Sequence, residues 1–424
     1  MTPTPRPKRS SKLPLVAGGV LVVVVLLDFF LKDLISDSSI RQLLMLAACN
    51  VLIALSLNVI NGMAGQFSIG HAGFVGLGGY TSAVMASHLH ASLGGGEPTF
   101  ARSFIVVPVC LIASAGMAGL FGLVVGLPSL RLRGDYLAIV TLGFAEIFRL
   151  VIATAQANDG TTKTSFFAKI GDALSSLGGQ NGYQGIANQG VPLYAGPFWV
   201  FGLAFLLGVI AWRIKFSGWG RALRALREDE IAAAAVGVDP TRYKVTSFVI
   251  AATGAGIAGG LMAMMRDGTP TVNPDNYNFA ASFDAITMVI LGGSGSVTGA
   301  AIGGVFITFT IKAIELLQSV DVVQRLRRLS ETALTDSNMP LVLRIVVIPF
   351  RDLNALRMII YAMVLIALMI VRPEGLLGER ELFQKRASRQ KTPPKKPDAA
   401  PDTPEPPAAS EPPAASEPPA AVEP

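Results

Sequence analysis

The sequence predicts an all-α, polytopic membrane bundle of about eight to ten transmembrane helices, with discontinuous or re-entrant glycine-rich segments. Three observations carry this. Hydrophobic residues make up 51% of the 424 and charged residues only 15%, a balance rare in a water-soluble chain of this length. Several apolar runs are long enough to cross roughly 30 Å of hydrocarbon at about 1.5 Å per helical residue, and none shows the alternation of a barrel strand. Two stretches, 61–80 and 292–303, interrupt apolar runs with glycine.

In order along the chain, Arg6, Lys8, Arg9 and Lys12 precede the run Pro14 to Leu31. No small-residue cleavage site follows it, so residues 1–13 read as a basic cytoplasmic start before an uncleaved first helix. The runs Leu43 to Ile60, Phe104 to Leu127, Tyr136 to Ala155, Phe198 to Ile214, Val245 to Met265 and Met358 to Val371 read as further spans. After the second run comes "NGMAGQFSIGHAGFVGLGGY". Its glycines permit close helix packing or a helix break. Gln66, Ser68 and His71, with Gly65 and Gly70 beside them, put polar groups at membrane depth, where such groups face a pathway or a partner. A broken helix lining a translocation path is the reading preferred here.

Arg131, Arg133 and Asp135 fall at a turn, where Arg133 with Asp135 reads as a structural pair. Glu146 and Arg149 read as a local i,i+3 pair rather than a proton relay. The polar stretch 156–196 reads as an outer loop. The segment 218–244, "GWGRALRALREDEIAAAAVGVDPTRYK", places Ala222, Leu223, Leu226 and Ile231 on an apolar side of one helix. Arg221, Arg224, Arg227, Glu228, Asp229 and Glu230 lie on a charged side, with Gly237 and Pro240 stopping the helix. That pattern suits docking on a soluble partner. Gly254, Gly256 and Gly259 match a dinucleotide fingerprint but sit in an apolar run without a βαβ unit, so they read as packing. Gly292 and Gly293 open a break between two legs of a hairpin, Phe283 to Leu291 and Val297 to Ile314, while Gly295, Gly299 and Gly303 share a helical face suited to packing. Residues 315–357 read as an amphipathic connector, and 379–424, with its recurring "EPPAAS", as a disordered Pro/Ala/Glu-rich cytoplasmic tail after a transmembrane body at 14–378.

The net charge of +6 clusters beside membrane segments, which positive-inside sorting explains without nucleic acid. Cys49 and Cys110 read as packing residues, not metal ligands. No GxxxxGK[ST] loop is present, so any ATP chemistry belongs to a partner, and no cofactor or metal is expected. A stand-alone carrier needs more midplane ionisable groups than His71, Glu146 and Arg149. An intramembrane enzyme needs a carboxylate cluster or a nucleophile with its base, and "REDE" at 227–230 is set among arginines instead.

The ordered set "GQFSIGHAGFVGLGGYTSA", "LRLRGDYLAIVTLGFAEIFRL", "GRALRALREDEIAAAAVGV", "VILGGSGSVTGAAIGG" and "RPEGLLG" resembles the LivM-type permeases of bacterial branched-chain amino acid ABC importers, from about Leu43 to Gly378. "GGQNGYQGI" at 178–186 is similar to an outer-loop element of that family. The resemblance implies a non-enzymatic, multi-pass subunit of the bacterial inner membrane with both termini cytoplasmic. It also implies a second, LivH-type permease, two cytoplasmic ABC ATPases and a periplasmic solute-binding protein as partners. Gly220 to Gly237 would be the coupling segment, and leucine, isoleucine and valine the cargo. Permeases for urea, short amides or aromatic acids share the architecture and stay open as alternatives. Many members carry Glu where this chain has Ala234, which shifts the expected docking contacts to Arg227, Glu228 and Asp229.

Overall fold

The computed structural model describes residues 28, 35–129, 136–155, 176–318, 363, 366, 370, 375–378 and 381. Five of the described helices are long and apolar enough to span a membrane: Ser38–Met63, Phe100–Pro128, Tyr136–Ala153, Pro197–Phe216 and Pro240–Ala263. Each coincides with an apolar run of the sequence. The expected spans Pro14 to Leu31 and Met358 to Val371, the Arg131 to Asp135 turn, the first part of the outer loop, nearly all of the 315–357 connector and almost the whole tail lie outside the described residues.

Helix α1, Ser38–Leu57, starts where Asp37 accepts a hydrogen bond from the Ser39 amide, and it runs on as a π-helical turn, Asn58–Met63. After a non-helical stretch, α2 occupies His71–Ser92. Helices α3, Phe100–Ser129, and α4, Tyr136–Ala153, follow. Helix α5, Pro197–Phe216, opens with proline at a first-turn position, where the missing N–H has no partner to lose. Two short helices come next, α6, Gly218–Glu228, and α7, Glu230–Ala235. Helix α8, Pro240–Ala263, is capped by Asp239, and α9, Phe279–Gly292, by Asn278; α10 is Val297–Gln318.

Helices α1, α2 and α8 form the centre. Small residues make that possible: a Cβ added at Gly78 would strike the Gly256 backbone, and one at Gly259 the Val75 carbonyl. Gly254 packs in the same way on Ser56, so the fingerprint-like glycines serve helix contact. Helices α3, α4 and α5 form the rim and expose Ile112, Val124, Ile139, Ile147 and Leu206, as lipid-facing surfaces do.

One end of the bundle gathers the π turn, the α9–α10 turn and α6; Arg213, Lys215, Arg221, Arg224 and Arg227 make it the basic end. At the opposite end, residues 183–195 run beside 264–272, joined by Tyr183 and Val272 through amide-to-carbonyl bonds of 2.8 and 3.0 Å and by the Val191 amide to the Pro270 carbonyl, 2.8 Å.

The stretch 218–235 is two helices where the sequence reading has one. Asp229 adopts φ −153°, ψ 112° and its side chain accepts from the Ile231 and Ala232 amides, so it ends α6 and caps α7. That break turns Ile231 away from Leu223 and Leu226: these two are buried, whereas Ile231 is 82% exposed.

Candidate functional site

The α1–α2 break is held by side chains from within it. The π turn closes with the Ala64 amide on the Val59 carbonyl and the Gln66 amide on the Ile60 carbonyl, both 3.1 Å. Asn61 then brackets the loop, accepting from the Ser68 amide at 3.2 Å. Gly65 sits at φ +68°, a region open to glycine. The Ile69 amide donates to Thr141 Oγ1 on α4 at 3.2 Å, and Gly70 lies so close to Thr141 that a Cβ would strike its carbonyl. Gln66, Ser68 and His71 are all buried within this chain. His71 Nε2 is 2.8 Å from Ser56 Oγ, while His71 Nδ1 and Gln66 Oε1 have no hydrogen-bond partner among the described residues. Buried polar atoms of that kind are uncommon and ask for a water, a solute or a movement that satisfies them.

The second break meets the first. Gly293 and Gly295 take φ of +117° and +84° between α9 and α10. Asn58, the first residue of the π turn, accepts from the Gly295 amide at 2.9 Å and donates to the Ser296 carbonyl at 3.0 Å. The hairpin legs pack backbone to backbone: Gly292 against Gly299, and Gly303 against the Met288 carbonyl. The Leu376 amide, in "RPEGLLG", donates to the Leu291 carbonyl at 2.9 Å.

Glu381 locks this turn. Its fully buried carboxylate accepts from Lys215 Nζ at 2.5 Å, the Val297 and Thr298 amides at 2.8 and 3.0 Å, Thr298 Oγ1 at 2.6 Å and Ser296 Oγ at 3.3 Å. It thereby caps the N-terminus of α10, where free amides and the helix dipole favour an anion. Burial opposes its charge, but Lys215, the Thr298 hydroxyl and the two amides outweigh burial and hold the carboxyl below its ordinary value.

Helix α6 lies across both breaks. Ser217 caps it by accepting from the Gly220 amide, and Gly220 packs on the Ile214 and Lys215 carbonyls. Arg227 turns inward: Nη1 donates to the Gly62 carbonyl at 2.8 Å and Nη2 to Glu228 at 3.2 Å. Arg224 is half-buried with Nε lacking a partner among the described residues. These groups, with Gly62, Met63, Lys215, Gly220 and Gly295, line a cavity of about 30 Å³. Arg221 is exposed and Ala222 half-buried. Glu230 pairs with Lys244 at 2.6 Å, and Gly237, at φ +89°, turns the chain into α8. Beside the exposed Glu230, α7 and its turn leave apolar residues outward: Ile231 at 82% and Val236 at 80% exposure, with Ala234 and Ala235 between. The Glu146–Arg149 pair is present at 2.9 Å, and Arg149 also reaches Asp275 at 3.2 Å.

The sequence reading missed four residues that organise this region: Asn58, Asn61, Lys215 and Glu381. Two asparagines within an otherwise apolar run are the signal for the first pair. Nothing local flags Glu381, whose contacts lie far away in sequence.

At the opposite end a cavity of about 840 Å³ opens among His90, Glu97, Gln189, Pro192 and Arg266, with His90 Nδ1 held 2.7 Å from the Tyr194 hydroxyl.

Long apolar helices enclosing two interrupted ones, with a short amphipathic pair across the breaks, define a multi-pass membrane protein of the transport-subunit class. The profile of the family described as "Branched-chain amino acid transport system / permease component" matches residues 39–369, and the chain belongs to that family. It is 37% identical over 257 residues to the high-affinity branched-chain amino acid permease LivM of Escherichia coli K12, an alignment covering 58% of this chain and 56% of that protein. To LivM of Salmonella typhimurium LT2 it is 32% identical over 338 residues, 77% of this chain and 67% of the relative. The ribose import permease RbsC of Haemophilus influenzae Rd is 26% identical over 309 residues, 70% of this chain and 84% of that protein. No solved structure matches the chain.

Proposed function

We propose that this chain is the LivM-like subunit of an ABC importer, passing leucine, isoleucine or valine across the membrane by alternating access that partner ATPases drive. Its partners are a second, LivH-type permease, two cytoplasmic ATPases and a periplasmic solute-binding protein; it holds no cofactor, and ATP is consumed by the partners. The basic end faces the cytoplasm, since Lys and Arg gather on that side of membrane proteins, and both termini lie there too.

The observation that carries the reading is the α6–α7 pair. Ile231 on a short helix and Val236 just after it stand largely exposed at the basic end, and apolar residues so displayed among charges suit a groove on a soluble partner. ATP binding shifts the gate only through contacts that differ between its inward- and outward-open states, and in this reading α7 makes them. Gln66, Ser68 and His71 border the route. The unpaired Gln66 Oε1 and His71 Nδ1 are polar atoms that a passing solute or its water contacts briefly, and weak contact suits a conduit.

The test is reconstitution into proteoliposomes with all partners, then with each omitted in turn, using labelled leucine, isoleucine, valine and, as a contrast, ribose. Uptake of branched-chain amino acids that needs ATP and every partner is expected. Uptake by the chain alone, or of ribose only, would overturn the reading.

A further inference from the structure

Helix α6 is pinned at both ends to the helix breaks. At its start, Lys215 precedes the Ser217 cap and is tied through Glu381 to the first turn of α10. At its end, Arg227 is tied to the last turn of the π segment. Carbonyls in the last turn of a helix lack an intrahelical donor, and here the chain leaves the helix at once, so the Gly62 carbonyl has use for an outside donor. A guanidinium supplies a charged one, stronger than a neutral donor.

Gly65 and Gly295 leave room for the Arg227 side chain, and Gly62 leaves room for the contact between the two breaks. A side chain at Gly65 would overlap Arg227 Cγ, and Gly65 is already at φ +68°. A Cβ at Gly295 would stand 3.2 Å from both Arg227 Nη1 and the Gly62 carbonyl oxygen. A Cβ at Gly62 would strike the Gly295 amide and Asn58 Oδ1. One side chain from α6 therefore touches residues of both breaks at the place where they touch one another, while the outward docking surface belongs to α7.

We propose that Arg227 is a positioning residue that faces the bundle and not the ATPase: it transmits displacement of α6 to the paired breaks through the Gly62 carbonyl. This rests on the importer reading above. It separates two tasks within one segment, with Ile231 and Val236 gripping the partner and Arg227 passing the movement on.

The experiment uses the full reconstituted complex carrying Arg227→Met, Arg227→Lys or, as a control on the exposed rim of α3, Ile112→Ala. Three quantities are read: ATPase subunits retained on purification, ATP turnover stimulated by loaded binding protein, and amino acid taken up per ATP. Arg227→Met is expected to retain the ATPases and most turnover while uptake per ATP falls about tenfold, the scale of a typical coupling energy. Arg227→Lys, which keeps a cationic donor, is expected to restore much of the ratio, and Ile112→Ala to leave it unchanged. An unchanged ratio in Arg227→Met would overturn the proposal. So would loss of the ATPases in step with uptake, since Arg227 would then be a docking residue. If Arg227→Met does not accumulate, Arg227→Lys decides: a ratio as low as that of a dead complex overturns the proposal, and partial retention supports it. A wild-type complex without ATP-driven uptake would remove the importer reading itself, a result distinct from any of these.

Discussion

Removing the Glu381 carboxylate with Glu381→Ala strips five donors of their acceptor, among them a Lys215 side chain that is only 7% exposed. Breaking one partner out of a buried pair costs about 3–5 kcal/mol, because the other charge stays buried without its counter-ion. Lys215→Met costs less, about 1–3 kcal/mol, since the carboxylate keeps the amides and hydroxyls of the α10 cap. The two changes are coupled. In Lys215→Met/Glu381→Ala both members of the ion pair are gone, so the double variant should be more stable than the summed single losses require, by about 1–3 kcal/mol. Unfolding by SDS titration in mixed micelles, run as a double-mutant cycle, measures this. The pH arm has a defined sign. A carboxyl held below its ordinary value of 4.5 contributes its full stability above that value and loses it as pH falls through the lowered one. Acidification should therefore weaken the wild type in that window, and Glu381→Gln should lack this component. Additive single losses, or a Glu381→Ala variant as stable as wild type, would refute the reasoning.

Further outcomes follow from the packing and the caps. Gly259→Ala drives a methyl into the Val75 carbonyl between α8 and α2 and should cost about 1–3 kcal/mol in the same titration. Gly143→Ala, with nothing within 4 Å of the new Cβ, should instead stabilise α4 by about 0.5–1 kcal/mol. Asp229→Ala removes the acceptor for the Ile231 and Ala232 amides; about 1 kcal/mol of cap energy is lost, and hydrogen exchange should speed up in α7 while α8 is unaffected. Ile231→Asp alters a side chain that is 82% exposed, so melting temperature and membrane insertion should hold while ATPase affinity, measured by titration, drops about tenfold or more.

The helical spans were legible because hydrocarbon imposes a length and an apolarity that any reader of the sequence can count: Leu43 to Ile60 and Val245 to Met265 fall within α1 with its π turn and across α8. The hairpin at 292–303 was legible from its glycines, and the Glu146–Arg149 pair from spacing. Ile231 was misplaced because one continuous helical period was carried through Asp229, a residue whose side chain competes for backbone amides and so ends a helix. Arg227 was legible as a charge on a short amphipathic segment, but its direction was not, since the Gly62 carbonyl it meets lies far off in sequence. Glu381 was hidden for the same reason, beside a tail whose composition offers no core. Roles for Gln66, Ser68 and His71 were suggested by polarity at depth, and the fold adds that all three are buried, two of them with an unpaired atom.

The central claim is that another protein's nucleotide cycle grips this chain through α7. A photoreactive amino acid placed at position 231 tests it in the assembled complex in membranes, with position 112 on the exposed rim of α3 as the control. The account predicts a cross-link from 231 to the ATPase whose yield changes with nucleotide, and none from 112. Cross-links from 231 to lipid alone, or to the ATPase from 112 instead, would contradict it.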